Sequence, residues 1–306
     1  SVNLNVFKLY AQYWNETTYL DEANYDLTGR AIPDNFWGSV YRDVLKDLDE
    51  SAKLITADGA LTADVKANQL AIIEVWTVYA YSQLVVIFGD IPYTEALDFA
   101  NTTPKYDDAL TIYKDLLVRL NAATTAMKTA EDSFTDADIL FGGDVSKWKK
   151  FANSLRLKLA INLDDVDHTY ATTQVLAAVT SGVITNSADN AKLKYLSVQP
   201  NTNPIYVDVV ASGRDDFVPT STIINKMNAL SDPRRSSYFT LIGSIYEGGI
   251  PGDGNAFDNF SHIGTQLLDP TFESLLLDYS EVEFLLAEAV ERGIAVGGTA
   301  DTHYTN

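Results

Sequence analysis

The side chains in this sequence best suited to chemistry are carboxylates and aromatic rings, because cysteine is absent and only three histidines occur. The lack of cysteine excludes disulfides, thiolate metal sites and thiol nucleophiles. No histidine pair has the spacing of a zinc-binding helix, and neither a Gly-x-Ser-x-Gly elbow nor a Gly-x-x-x-x-Gly-Lys phosphate loop occurs. We therefore expect no cofactor, no metal and no catalytic residue.

Four glutamates on a predicted helix near the C-terminal end are the most tempting carboxylates for a glycosidase. Such an enzyme needs two carboxyl groups at a set separation across the scissile bond. A structural interpretation fits better, because Glu281 lies in the capping turn and Glu288 precedes Arg292 by four residues, the spacing of a helical ion pair. We expect no catalysis from this set, which is Glu281, Glu283, Glu288 and Glu291.

The aromatic residues are numerous, with 17 Tyr, 13 Phe and 4 Trp. Flat rings stack on the apolar faces of sugars, while Asn, Asp, Arg and Gln bond the hydroxyl groups. Trp37, Trp76 and Trp148 fall on helical stripes and are predicted to be core residues. Other aromatic residues lie where helical periodicity fails, near the N-terminus and within residues 246–260. The predicted ligand-binding residues are Trp14, Tyr19, Asn24, Tyr25, Tyr246 and Phe257.

Each of these two loops also has a purely structural interpretation. Trp14 would then pack beneath its own loop, and residues 246–260 would form an ordinary ordered loop. A third interpretation is a calcium site made by acidic and amide side chains, although their spacing is not that of an EF-hand. The residues concerned are Asp253, Asp258 and Asn259.

The charge balance excludes one class of partner. The sequence has 22 Lys and Arg against 42 Asp and Glu, a net charge of −20. Phosphate backbones repel such a surface, so nucleic acid is not expected as a partner, and anionic membrane surfaces are disfavoured for the same reason.

The predicted fold is organised around one long apolar helix. Residues 67–88 carry apolar side chains on almost every helical face, which predicts a helix buried all round, yet polar residues interrupt it too often for a membrane span. Gly89 ends it and Pro92 prevents it from resuming. Further helices are predicted at about 34–54, 107–127, 145–163, 169–181, 220–230 and 278–291. Residues 183–219 and 243–277 are predicted to be long loops with a few short strands.

The helical pattern alone fits either a tetratricopeptide-like solenoid with degenerate repeats or an irregular all-α domain. Several stretches, in order from Phe7 to Gly293, go further because they resemble a known family. They are AQYWNETTYLDEANYDL with NFWGSVYRDVLKDL, FGDIPYTEAL, KWKKFANSLRLKLAINL, DDFVPTSTIINKMNALSDPRRSSYF and YSEVEFLLAEAVERG. The sequence resembles the SusD-like family, in particular its starch-binding, outer-membrane-associating branch. These are surface lipoproteins of Bacteroidetes that capture nutrients, mostly glycans.

The resemblance implies an all-α, tetratricopeptide-like scaffold with long loop-rich inserts and few short strands, as a single domain over residues 1–306. It also implies a non-enzymatic glycan-binding lipoprotein at the surface of the outer membrane. Its partner would be a TonB-dependent SusC-like transporter, on which it acts as a lid. Loops in the N-terminal half of the family help to build the binding face.

Family members begin with a lipoprotein signal and a lipidated cysteine, and they continue past the position that matches Asn306. We therefore expect a fragment that lacks both ends, with membrane attachment only through a lipid anchor absent from this chain. Two alternatives stay open: the same lid role for peptide or other non-sugar cargo, and an all-α glycoside hydrolase.

Overall fold

The computed structural model describes residues 6–306, which divide into two compact units. The loop-rich unit comprises Ser1–Asn35 and Lys194–Ser274, and the helical unit comprises Phe36–Leu193 and Leu275–Asn306. The predicted all-α class with few short strands is confirmed. The expectation of one domain over the whole chain stays a prediction.

The long α-helices lie in the helical unit, whereas the strands of both units are short. The helices are α1 (Val6–Tyr10), α2 (Ile32–Gly38), α3 (Lys46–Ala57), α4 (Ala63–Phe88), α5 (Ala109–Ala126), α6 (Val145–Asn162), α7 (His168–Ser181), α8 (Pro204–Tyr206), α9 (Ser221–Ala229), α10 (Arg235–Tyr238), α11 (Tyr279–Glu291) and α12 (Ala300–Thr305). The strands are β1 (Trp14–Glu16), β2 (Ile91–Pro92), β3 (Tyr106–Asp107), β4 (Ala191–Leu193), β5 (Phe217–Pro219) and β6 (Ser274–Leu277). They pair as β1 with β5, β2 with β3 and β4 with β6.

Helix α4 is the centre of the helical unit, as predicted, and packs against α3, α5 and α6. The Thr62 hydroxyl caps its N-terminus by accepting from the Val65 N–H, and Gly89 ends it in a positive-φ conformation. The prediction that this helix is buried on every face is wrong for its last turn, because Val86 and Ile87 are exposed. The buried residues are Asn68, Gln69, Ala71, Ile72, Ile73, Val75, Val78, Ala80, Tyr81, Ser82, Leu84 and Val85.

By length and composition alone, α4 could cross a membrane, with a mean hydropathy of 1.6 over an 18-residue window. Within that window, 56% is buried inside the protein. Its deeply buried Asn68 also bonds the backbone carbonyls that follow α5, at Lys128, Glu131 and Asp132. Core packing therefore accounts for its apolar character.

The aromatic part of this core is built on α6. The Trp148 ring is 1% exposed and meets the Phe141 and Trp76 rings edge-on, with centroids 5.2 and 5.7 Å apart. Its indole N–H donates to Asp138 Oδ2 at 2.6 Å. The core prediction is confirmed for Trp148, whereas Trp37 and Trp76 are half-buried at the edge of the same cluster.

Local capping explains where the long helices begin. Asp144 accepts from the Ser146 N–H and Asp278 accepts from the Glu281 N–H, both across 2.9 Å. The predicted start of α5 at Asp107 is wrong by one residue. Asp108 is the cap, while Asp107 belongs to β3.

The loop-rich unit has a small core of its own. Strand β1 pairs antiparallel with β5, so that Trp14 faces Pro219 and Glu16 faces Phe217. The predicted N-terminal loop therefore contains a strand. Helix α1 buries Val6 and Leu9 and exposes Phe7. The core residues are Leu9, Trp14, Phe217 and Ile263.

Candidate ligand-binding site

A pocket of about 280 Å³ lies where the chain leaves the β1–β5 pair. The pairing extends beyond Glu16, because the Thr17 N–H donates to Asp216 O at 2.9 Å and its hydroxyl donates to Asp215 O at 2.7 Å. Two segments far apart in sequence thus run side by side into the pocket. The lining residues are Glu16, Thr18, Tyr19, Arg30, Arg214, Asp216 and Phe217, all in the loop-rich unit.

Two arginines share the Tyr19 ring in this pocket. The guanidinium carbons of Arg30 and Arg214 lie 5.0 and 5.5 Å from the ring centroid, within the range of a cation–π interaction. The Tyr19 side chain is nevertheless 54% exposed, so part of the ring is open to a ligand. The arrangement combines an accessible ring with fixed positive charge.

Behind this surface is a buried carboxyl pair. Glu16 and Glu22 are 5% and 0% exposed, and Arg30 Nη1 lies 3.4 Å from Glu22 Oε2. Burial, followed by the negative charge of Glu22, raises the pKa of Glu16 to about 7. The Ala23 N–H, which donates to Glu16 Oε2 at 3.3 Å, opposes this shift. Glu16 therefore changes charge near neutral pH.

Two asparagines join the predicted N-terminal loop to the predicted second patch. The Asn15 side chain accepts from the Gly252 N–H at 2.6 Å and donates to Asp253 O at 2.9 Å. The Asn24 amide donates to Leu20 O at 2.9 Å and to Gly252 O at 2.8 Å. The structure thus brings the two loops together, and the side-chain N–H groups of Asn24 are already used by backbone carbonyls.

The prediction that the Trp14 ring faces a ligand is wrong. Its side chain is 4% exposed and packs against Phe217, with ring centroids 5.6 Å apart, in the small core of the loop-rich unit. Too little of the ring is open for a sugar to stack on. The structural interpretation, in which Trp14 packs beneath its loop, agrees with this burial.

The other predicted aromatic residues have protein partners outside the pocket. Tyr25 is exposed but stacks on Tyr10, with centroids 5.9 Å apart, and its hydroxyl donates to Tyr10 O. Tyr246 is half-buried beneath the Arg235 guanidinium, and Phe257 stacks on His262 at a centroid distance of 3.8 Å. Of the six predicted residues, only Tyr19 lines the pocket.

Three of the four glutamates of α11 are engaged in ion pairs within the helical unit. Lys158 Nζ lies 2.6 Å from Glu281, and the predicted pair of Glu288 with Arg292 is confirmed at 2.8 Å. Glu283 is buried and accepts from His303 across 2.6 Å. Within residues 6–306, no group of three or more His, Asp or Glu is arranged to hold a metal ion.

The helical unit contains a second, larger cleft of about 760 Å³. Small and apolar side chains of α3, α4 and α5 form most of its wall, among them Ala52, Leu70 and Ala122. Its polar side is occupied by Arg119, whose guanidinium contacts both Glu74 and the Tyr93 hydroxyl. Its polar groups are thus mostly bonded to each other.

Comparisons with known proteins show which family this chain belongs to. A family model described as starch-binding and associating with the outer membrane matches residues 1–306. The chain belongs to the SusD-like family. Comparison with curated proteins gives no significant match. The tetratricopeptide-like scaffold is confirmed by the helical folds of the related structures.

Three of those solved structures show how far the likeness extends. One, named a chitin-binding protein, is 26% identical with a TM-score of 0.82, over 97% of this chain and 66% of its own. A chitin-binding SusD homologue from Flavobacterium johnsoniae is 25% identical with a TM-score of 0.79, over 99% and 65%. A SusD-like protein from Bacteroides thetaiotaomicron is 25% identical with a TM-score of 0.81, over 98% and 62%. The present chain spans less than two thirds of each.

Sequence reasoning missed Glu16, Arg30, Arg214 and Asp216. Arginine is one of the side chains expected to bond sugar hydroxyls, and these two lie in stretches without helical periodicity. Their residue type and their position outside any predicted helix were therefore the only sequence features that pointed to these two arginines. Nothing local indicates that Arg30 and Arg214, 184 residues apart, share one tyrosine ring.

Proposed function

We propose that this chain is the glycan-binding part of a surface protein that captures oligo- or polysaccharide and passes it to a TonB-dependent SusC-like transporter. The observation that carries this proposal is the pocket beside the β1–β5 pair, where exposed Tyr19 lies next to hydrogen-bonding side chains. The family description and the names of the two chitin-binding relatives support a glycan as the ligand.

The size and chemistry of the pocket suit part of a sugar chain. Small-molecule pockets span about 300–1,000 Å³, and this one, at about 280 Å³, is just below that range. We expect it to hold one or two sugar residues, with the rest of the glycan outside. The open part of the Tyr19 ring supplies apolar contact, and Thr18 and Arg214 supply hydrogen bonds.

Capture and transfer require no covalent chemistry, so the protein acts as a binder and not an enzyme. The family description, with its association with the outer membrane, supports a location at the outer surface of that membrane. A lipid anchor would provide the attachment, and the helical unit would contact the transporter while the loop-rich unit holds the glycan.

Peptide cargo is a second candidate, and one observation favours it. Tyr19 is the only tyrosine or tryptophan among the pocket residues, whereas a glycan site commonly offers more than one ring. Two arginines and two carboxylates also suit a zwitterionic peptide. The same binding assay therefore includes peptides.

The test is a glycan and peptide array on the purified chain, followed by calorimetric titration of the best ligand. Tyr19→Ala should weaken binding about 10- to 100-fold, as removal of a central aromatic contact does. Tyr13→Ala is the matched control, because Tyr13 is in the same unit, is 53% exposed and lies outside the pocket. Equal affinity in wild type and both variants would contradict the proposed site.

A further inference from the structure

Two of the residues that line the pocket are arginines, although the protein as a whole is strongly acidic. The chain carries 42 acidic and 22 basic residues, yet two arginines converge on one tyrosine ring. Two guanidinium groups beside one ring repel each other, and nearby anions reduce that repulsion.

Arg30 is already committed to protein carboxylates. Its side chain is 17% exposed and lies 3.1 Å from Asp21 and 3.4 Å from Glu22. These contacts hold Arg30 in place at the base of the pocket. Arg30 therefore supplies a fixed charge and few free N–H groups.

Arg214 is different, because most of its donors are open. Its side chain is 52% exposed, and Nε lies 2.8 Å from Asp216 Oδ2. Its two terminal nitrogens, which carry four of the five guanidinium N–H groups, have no hydrogen-bond partner among residues 6–306. A guanidinium fork of this kind matches the paired oxygens of a carboxylate or a sulfate.

The acids that line the pocket do not outweigh the two arginines. Asp216 is paired with Arg214, and the other lining acid, Glu16, is buried beside Glu22. Because Glu16 is partly protonated near neutral pH, the lining groups carry a net charge between zero and +1, and Asp21 and Glu22 add negative charge beside Arg30.

We propose that this pocket binds an anionic group on the sugar, a carboxylate or a sulfate ester, between Arg214 and Arg30. Tyr19 acts as the aromatic wall that holds both guanidinium groups. This inference rests on the proposed function, because it takes the ligand to be a glycan and specifies the chemical class of that glycan.

The test compares ligands that differ only in charge. Calorimetry measures trigalacturonate against its fully methyl-esterified form, and a sulfated galactose oligosaccharide against its desulfated form. We expect at least one anionic ligand to bind about tenfold or more tightly than its neutral counterpart, as one charge-assisted contact provides. The pair that shows the preference identifies the carboxylate or the sulfate as the recognised group.

Variants locate the effect in the pocket. Arg214→Gln should remove the preference for the anion, whereas Arg42→Gln should keep it, because Arg42 is an exposed arginine paired with Asp43 in the helical unit. Tyr19→Phe should retain the preference, since the ring is kept. Thermal melting checks that each variant is folded, and none of these side chains belongs to a buried core.

The outcomes separate this inference from the proposed function. If neutral glycans bind as tightly as the anionic ones and lose affinity in Tyr19→Ala, the charge preference is refuted and glycan capture stands. If the preference persists in Arg214→Gln, the anion is held elsewhere and the inference fails. If no glycan binds at all, both the inference and the proposed function are refuted.

Discussion

The side-chain amide of Asn24 donates a hydrogen bond to the carbonyl oxygen of Gly252 across 2.8 Å, although 228 residues separate them. Gly252 has a φ of +75°, and a Cβ placed on it would come within 2.5 Å of Asn24 Oδ1. The two loops predicted to hold the ligand thus meet at a position suited only to glycine. The Asn15 side chain bonds the same turn, because it accepts from the Gly252 N–H and donates to the Asp253 carbonyl oxygen.

Gly252→Ala should therefore destabilise the protein by roughly 1–3 kcal/mol, since a strained φ and a steric clash add together. Chemical denaturation measures the change. Gly213→Ala is the matched control, because Gly213 has a φ of +66° but no atom within 4 Å of the added Cβ. A loss no larger than that of the control would show that Asn24 moves aside without cost.

Trp148→Ala should lower the free energy of unfolding by roughly 3–5 kcal/mol, the range for truncating a buried tryptophan. The ring is 1% exposed, and Asp138 would lose its indole donor at the same time. Trp76→Ala should cost less, because Trp76 is half-buried. Denaturant melts in which Trp76→Ala is the more damaging change would contradict this description of the core.

Stability should also depend on pH through Glu16. Its folded pKa of about 7 exceeds its ordinary value of 4.5, so the folded state binds the proton more tightly. Stability from this group is present below about pH 4.5 and is lost as pH rises towards 7. Relative to Glu16→Gln, the wild type should lose on the order of 2 kcal/mol between the two ends of that range.

This pH effect involves every charged group around Glu16. Glu22 lies beside it, Arg30 and the Tyr10 hydroxyl lie in the same buried cluster, and Arg214 and Asp216 face it from the β5 side. Glu247→Gln, a change at an exposed acid in the same unit, should leave the pH dependence of unfolding unchanged. A Glu16→Gln profile parallel to that of the wild type would refute the raised pKa.

Purified protein should release no product from a glycan that it binds. Glu16 and Asp216 are the carboxylates that line the pocket, and Asp216 is held by Arg214 at 2.8 Å. Reducing-sugar release is the measurement. Release that survives repurification and disappears in Glu16→Gln would instead support the hydrolase alternative.

The parts of the fold that were predicted correctly depend on local signals. Asp144 and Asp278 cap helices because the residues that follow them supply free backbone N–H groups. Strand β1 was missed because its partner, β5, lies about 200 residues away and each strand has three residues. No local period marks so short a strand.

The site residues also divide into those that local signals indicate and those that depend on long-range pairing. Failure of helical periodicity located Tyr19 in a loop, and the ring is exposed there. The same signal selected Trp14, which is buried because β1 turns its ring towards Phe217. The shared contact of Arg30 and Arg214 with Tyr19 arises from long-range pairing, which neighbouring residues do not encode.

The most direct test of the central claim is the structure of this protein in complex with its tightest-binding array ligand. We predict a sugar residue in contact with Tyr19, Thr18 and Arg214 beside the β1–β5 pair, within about 4 Å of the ring. A ligand bound instead in the cleft of the helical unit, against Leu70 and Arg119, would contradict the account.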